Sequence, residues 1–284
     1  MSGATGARYH ASTRVASLNE QKGTQLMKTS IRASMQNVRG SDEHPLKWAF
    51  ERGSELGFDG LELCMGANRN SFVSAWSDEL REATTALGRE YGLPILSLSS
   101  DWAWAYALFF PALKDWARGV EFLAEDARLA KDLGANTILM HFATSKGSWA
   151  DCKALIVDVA AAGEQYGVRF GYEANIWERI ELGGFEGLLR MTDEVGSPYF
   201  GVYLHNAYPR AGMPLEQEIE QAGERLVPAM HSSSLTSGQV EIDFEKAMPA
   251  LKRRFADGAY TFEIPWDVAE ENKRVIDEMI AKYW

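Results

Sequence analysis

Hydrophobic and polar positions along the chain alternate between two textures. Short, mostly apolar runs bounded by turn residues occur at Thr29–Ser34, Phe58–Cys64, Pro94–Ser99, Asn136–Phe142, Val168–Ala174, Tyr199–His205, Leu226–His231 and Ala259–Ile264. Between them lie stretches with apolar residues at helical spacing, over 45–56, 76–91, 117–133, 149–166, 183–195, 214–224, 244–255 and 267–282. The first texture predicts buried strands and the second predicts helices with one apolar face. Val120, Leu123, Ala127 and Ala130 form such a face in 117–133. Gly57, Gly92, Gly134 and Gly167 stand where a left-handed C-cap is needed, and Ser148 and Asp243 stand at N-cap positions. Strand alternating with helix eight times predicts a (β/α)₈ TIM barrel of one domain over 28–284.

A doubly wound open sheet is the competing architecture. No G-x-G-x-x-G follows the first strand, and the ionisable residues cluster at the ends of strands four to eight, which suits a ring of loops better than a single crevice. Residues 1–27 are polar and aperiodic and read as a short flexible N-terminal extension.

Composition narrows the function classes. With 29 Lys+Arg against 40 Asp+Glu, a formal charge of −11 and no basic run longer than Lys252-Arg253-Arg254, no nucleic-acid surface is expected. Two cysteines, Cys64 and Cys152, without C-x-x-C spacing give neither a disulfide framework nor a zinc knuckle. No run is long and apolar enough for a membrane span or a signal peptide, so a cytoplasmic protein is expected.

The candidate chemistry sits where apolar runs end. His141, Glu173, His205, His231 and Glu263 close five successive strands, separated by 32, 32, 26 and 32 residues. Each gap is about one βα unit, so all five side chains are expected at the same mouth. Taken singly, each has an ordinary explanation: a strand-end histidine is often a structural hydrogen-bonding group, and a glutamate often pairs with a neighbouring cation. Taken together, converging imidazoles and carboxylates are what a divalent metal requires. His10 and His44 fall in the extension and a loop and receive no role.

From about residue 28 to 284 the chain resembles the xylose-isomerase-like barrel superfamily, whose members include ketose 3-epimerases, hydroxypyruvate isomerases, inosose dehydratases, dehydroshikimate dehydratases and endonuclease IV. The resemblance rests on the ordered strand ends and on Gly-Phe-Asp-Gly-Leu-Glu-Leu (57–63), which is similar to the superfamily's strand-two signature and puts Glu62 near the mouth. It implies one metal held by Glu173, His205, His231 and Glu263. Three positions depart from the pattern. His205 stands where the family has Asp, Tyr208 stands where a His usually follows, and Ser232–Gly238 lacks the epimerases' Arg. Asn206 takes the place of His205 as ligand if the strand ends one residue later.

The resemblance implies an isomerase or epimerase acting on a sugar-like hydroxy-ketone by proton abstraction next to a carbonyl, with Glu173, Glu263 and His141 as the catalytic groups. The alternative on the same site is a lyase or dehydratase, for example one eliminating from a 3-oxo-glycoside with His141 or His205 as acid or base. A metal-free, non-catalytic member is a further class. Two imidazoles in place of one favour Mn²⁺, Co²⁺ or Zn²⁺ over Mg²⁺. Glu62, Asn175, Tyr208, Arg210 and Trp266 are the expected contacts to a small carbohydrate-like substrate, with Ser99, Trp102, Trp104, Lys146 and Trp177 in neighbouring loops. The aromatic stretch 102–110 fits a lid, a substrate wall or the contact of a homo-oligomer.

Overall fold

A computed structural model of the chain describes residues 27–35, 44–65, 76–100, 113–141, 148–174, 183–206, 213–238 and 241–284. Eight parallel strands close into a barrel in sequence order. They are β1 (Lys28–Ser34), β2 (Gly60–Met65), β3 (Ile95–Ser100), β4 (Thr137–Met140), β5 (Arg169–Glu173), β6 (Phe200–His205), β7 (Leu226–Ser232) and β8 (Ala259–Phe262). Each is followed by a helix: α1 (Lys47–Glu55), α2 (Asp78–Tyr91), α3 (Leu113–Leu133), α4 (Trp149–Tyr166), α5 (Gly184–Val195), α6 (Leu215–Ala222), α7 (Phe244–Phe255) and α8 (Ala269–Tyr283). The seam that closes the barrel pairs β1 with β8, with Lys28 opposite Ala259 and Ile31 opposite Phe262.

The predicted (β/α)₈ architecture is therefore the observed one, and the helix boundary signals act as expected. Gly92 and Gly167 end α2 and α4 at φ of 64° and 71°, a backbone region that costs a residue with a Cβ more than it costs glycine. Ser148 caps α4 in a reciprocal capping box with Asp151. Asp243 occupies the N-cap of α7 without a side-chain cap bond. Met27, assigned by sequence to the extension, is 2% exposed and belongs to the core.

The main core lies between strands and helices, where Phe50, Phe170, Phe200, Phe262 and Ile31 are fully covered. A second, smaller cluster contains Leu139, Tyr203, Val227, Ala229 and Ala259. Strand alternation places Val227, Ala229 and His231 on one face of β7, and Tyr203 and His205 on one face of β6. Gly171 in β5 provides the space this packing needs: a Cβ there would stand 2.6 Å from Val227 Cγ2 and 2.9 Å from Tyr203 Cβ. Among the described residues no helix is long and apolar enough to cross a membrane.

Candidate active site

Glu173 and His205 are the last residues of β5 and β6, and His231 is the penultimate residue of β7. His141 and Glu263 follow β4 and β8 directly, so both strands stop one residue before the side chain that sequence placed inside them. The Glu263 amide still donates to the Ser232 carbonyl at 2.9 Å, which keeps the residue in register with the end of β7. His205 lies opposite His231 in the sheet.

Glu173 is the hub. Its Oε2 meets His141 Nε2 at 2.6 Å, and its Oε1 is bonded to His205 Nδ1. Burial raises the Glu173 carboxyl pKa, but the hydrogen bonds and charge of His141 and His205 outweigh it and hold the group well below the usual carboxylate range. Burial lowers the His205 imidazole below its ordinary value, against the opposing pull of Glu173. The second nitrogen of His205 faces Ser233 Oγ at 3.2 Å and lies 3.9 Å from Glu263 Oε2.

His231 is 1% exposed and uses its nitrogens unequally. Nε2 meets Glu62 Oε1 at 2.5 Å. Nδ1 is buried without a hydrogen-bond partner and lies 3.5 Å from Glu263 Oε2. Glu62 itself is wholly buried, and its Oε2 accepts from Tyr203 at 2.9 Å and from Ser97 at 2.8 Å. Burial pushes the Glu62 carboxyl up, and His231, Arg32 and Ser97 together bring it to a net value below the ordinary one. The expected role of Glu62 as a substrate contact is not what this position offers: both oxygens are engaged by protein groups, and no surface is left for a ligand. The strand-two signature gives its strand and its place near the mouth, opposite Arg32 and against His231, but not the burial that closes it to a ligand.

Among the described residues, Glu173, His205 and His231 form a buried group whose donor atoms all lie within 4.8 Å of one another. That group fits a divalent ion. It combines a carboxylate with two imidazoles, and the unpartnered Nδ1 of His231 is a buried acceptor or donor that costs free energy while it has no partner. Glu263 is close enough to supply a fourth donor. Asn206 is committed elsewhere: its amide nitrogen donates to Tyr260 at 2.7 Å and Ser232 at 2.9 Å, and its oxygen accepts from the Ser233 amide. His205, and not Asn206, is thus the β6 residue that joins the group.

Beside it opens a cavity of about 430 Å³, lined by Arg32, Ser34, Trp48, Glu263 and Trp266 among others. Trp48 and Trp266 meet edge to face at 4.9 Å. Trp266 lines this cavity and begins a 3₁₀ turn that precedes α8. Asn175, Tyr208, Arg210, Trp102, Trp104, Trp177 and Lys146 lie outside the described residues. Sequence reasoning missed Arg32, which ion-pairs with Glu263 Oε1 and donates to Cys64 Sγ at 3.0 Å. The available signal was its charge, the only one in the Thr29–Ser34 run.

Chain order and closure define a (β/α)₈ barrel, and Glu173, His205 and His231 gather at the C-terminal ends of its strands. The chain belongs to the xylose isomerase-like TIM barrel family, whose model matches residues 50–282. The fold is similar to that of D-allulose 3-epimerase from Methylomonas sp. (TM-score 0.68, 19% identity, 92% of this chain and 98% of that one). It is also similar to L-ribulose 3-epimerase (0.71, 16%, 91% and 96%) and to 3-keto-D-glucoside 4-epimerase from E. coli (0.67, 15%, 89% and 99%). A search of curated proteins by sequence gives no significant match.

The depressed pKa values of Glu173 and His205, and likewise that of Glu62, predict acid sensitivity of the metal-free protein. A carboxyl held low contributes stability above its unfolded pKa of about 4.3, and an imidazole held neutral carries no penalty above about 6.5. Both contributions are lost as pH falls through the folded values, because the unfolded chain binds the proton first. Urea midpoints should be level above about pH 6.5 and decline below it; a midpoint unchanged down to pH 4 would contradict the assignment.

Proposed function

We propose that the protein is a divalent-metal-dependent isomerase or epimerase of a sugar-like hydroxy-ketone, with Glu173, His205, His231 and Glu263 holding the metal. The observation that carries this reading is the unpartnered, buried Nδ1 of His231 at the convergence of two carboxylates and a second imidazole. The fold neighbours named for ketose and keto-glucoside epimerisation support the substrate class. A bound divalent ion supplies Lewis-acid polarisation of a carbonyl oxygen, which makes the neighbouring C–H more acidic.

The protein's own groups do the rest. Glu263 borders the cavity, with Oε1 paired to Arg32 and Oε2 facing His205 and His231, so the carboxylate stands between the donor group and the space for a substrate, where it would exchange a proton. Glu173 is buried between His141 and His205 and serves as the second carboxylate, with His141 holding its Oε2. Trp48 and Trp266 give an apolar wall for the C–H face of a sugar-like ring. A small carbohydrate-like ligand, a cytoplasmic setting and no nucleic-acid partner complete the proposal, with homo-oligomerisation through the aromatic 102–110 stretch as one assembly it allows.

One observation favours the second reading, elimination by a lyase. The His141–Glu173–His205 chain is a hydrogen-bonded relay, and histidine held in such a chain is the commonest general acid or base. Incubating the Mn²⁺-loaded protein with D-allulose and, separately, with a 3-oxo-glycoside in D₂O separates the two. Deuterated epimers support the epimerase, released aglycone supports the lyase, and inertness toward both with no metal retained contradicts each.

The ligand set also predicts metal choice. Later divalent ions prefer nitrogen donors, so Mn²⁺, Co²⁺ or Zn²⁺ should be preferred over Mg²⁺. His205→Asp adds a carboxylate and removes an imidazole, and it should shift the preference toward Mg²⁺ in binding titrations. Equal Mg²⁺ affinity and activation in both proteins would remove His205 from the ligand set.

A further inference from the structure

Glu62 is a buried carboxylate that the proposed reaction does not use directly. It is 0% exposed and accepts three hydrogen bonds from three other strands: Ser97 of β3, Tyr203 of β6 and His231 of β7. The two hydroxyl donors share Oε2, while Oε1 is left to His231 Nε2 at 2.5 Å. Tyr203 also packs edge-on against the His231 ring, with centroids 5.0 Å apart. The carboxylate and the ring are thus fixed relative to one another from two directions.

We propose that Glu62 is a positioning residue that fixes His231 in its Nε2–H tautomer and so turns the Nδ1 lone pair toward the divalent-ion site. A neutral imidazole has one donor and one acceptor nitrogen. With the proton on Nδ1 instead, the Nε2 lone pair would face a carboxylate oxygen at 2.5 Å, and that repulsion has no relief in a site without water-exposed surface. With the proton on Nε2, the Glu62 bond is satisfied and the only nitrogen without a partner is the one that points at Glu263 and the rest of the donor group. A carboxylate behind a ligating histidine also raises its basicity, and losing such a partner typically weakens metal binding about 10–100-fold.

The inference rests on the metal reading above, and the two can be tested apart. In metal-free, ¹⁵N-histidine-labelled protein, long-range proton–nitrogen correlations should show His231 as the Nε2–H tautomer, with the signal assigned by its loss in His231→Gln. Glu62→Gln should shift His231 toward the Nδ1–H tautomer, because an amide that keeps accepting from Tyr203 and Ser97 turns its NH₂ toward Nε2, which must then accept. The same variant should bind Zn²⁺ about 10–100-fold more weakly by calorimetry. Tyr203→Phe removes a donor from Oε2 but spares the Glu62–His231 bond, so its Zn²⁺ affinity should stay close to wild type. That contrast distinguishes positioning from general loosening of the barrel interior. An Nδ1–H tautomer in the wild type, or a folded Glu62→Gln protein with wild-type Zn²⁺ affinity, overturns the proposal. A wild-type protein that binds no divalent ion overturns the metal reading, while the metal-free tautomer still decides the role of Glu62.

Discussion

Glu263→Gln, with metal occupancy verified, should lower turnover by about 10²–10⁴-fold, the usual worth of a general acid–base group. The glutamine keeps the size of the side chain, can still accept from Arg32 and can remain a weak metal ligand, but it cannot take a proton. Glu263 is the better placed of the two strand-end carboxylates to meet a substrate, with a side-chain exposure of 33% against 6% for Glu173. It also borders the cavity walled by Trp48 and Trp266. If the two carboxylates serve opposite faces of a planar enediolate, exchange of the substrate α-proton with deuterated solvent should survive on the face served by Glu173. Normal turnover of the metal-loaded variant would rule out the two-base scheme and leave histidine-driven elimination as the better account.

Glu173→Gln should be more damaging, and through two routes. The carboxylate accepts from two imidazoles at once, and an amide offers one acceptor and one donor group in its place. One of the two histidines must then change tautomer or lose its bond, at a cost of about 1–3 kcal/mol in a buried site. Urea unfolding of the metal-free proteins measures that loss, and the acid-dependent decline of the wild type should be shallower in the variant. The second route is the metal itself. Removing the buried carboxylate from a group otherwise built on imidazoles should leave the purified protein with little bound metal and no recoverable turnover on adding more. Full occupancy by elemental analysis would make Glu173 an anchor for the histidines and not a ligand.

The barrel was legible because each βα unit repeats one short apolar run and one amphipathic stretch, and because glycine C-caps such as Gly92 and Gly167 punctuate them. The convergence of Glu173, His205 and His231 was legible for the same reason, since residues ending successive parallel strands share a mouth. Burial was harder to read. Glu62 ends up behind His231 because the stagger between strands, which sets each side chain's height along the barrel axis, depends on register and tilt and not on the order of residues in one strand. Arg32 was overlooked because its partner, Glu263, stands 231 residues away and nothing local marks the pairing. Asn206 illustrates a third limit: it neighbours His205, and only the surrounding contacts to Tyr260, Ser232 and Ser233 decide that its amide is occupied.

The Arg32–Glu263 ion pair crosses the seam where the first strand meets the last. A chain emerging from the ribosome makes Arg32 first and must wait for nearly the whole barrel before its counter-ion exists. Bringing together contacts so distant in sequence costs loop-closure entropy that grows with the length of chain between them. A chain stopped before β8 would carry Glu173, His205 and His231 without the carboxylate that faces them. Under the proposed metal reading, occupancy of the site would report a complete barrel, tying metal affinity to the integrity of both ends of the fold.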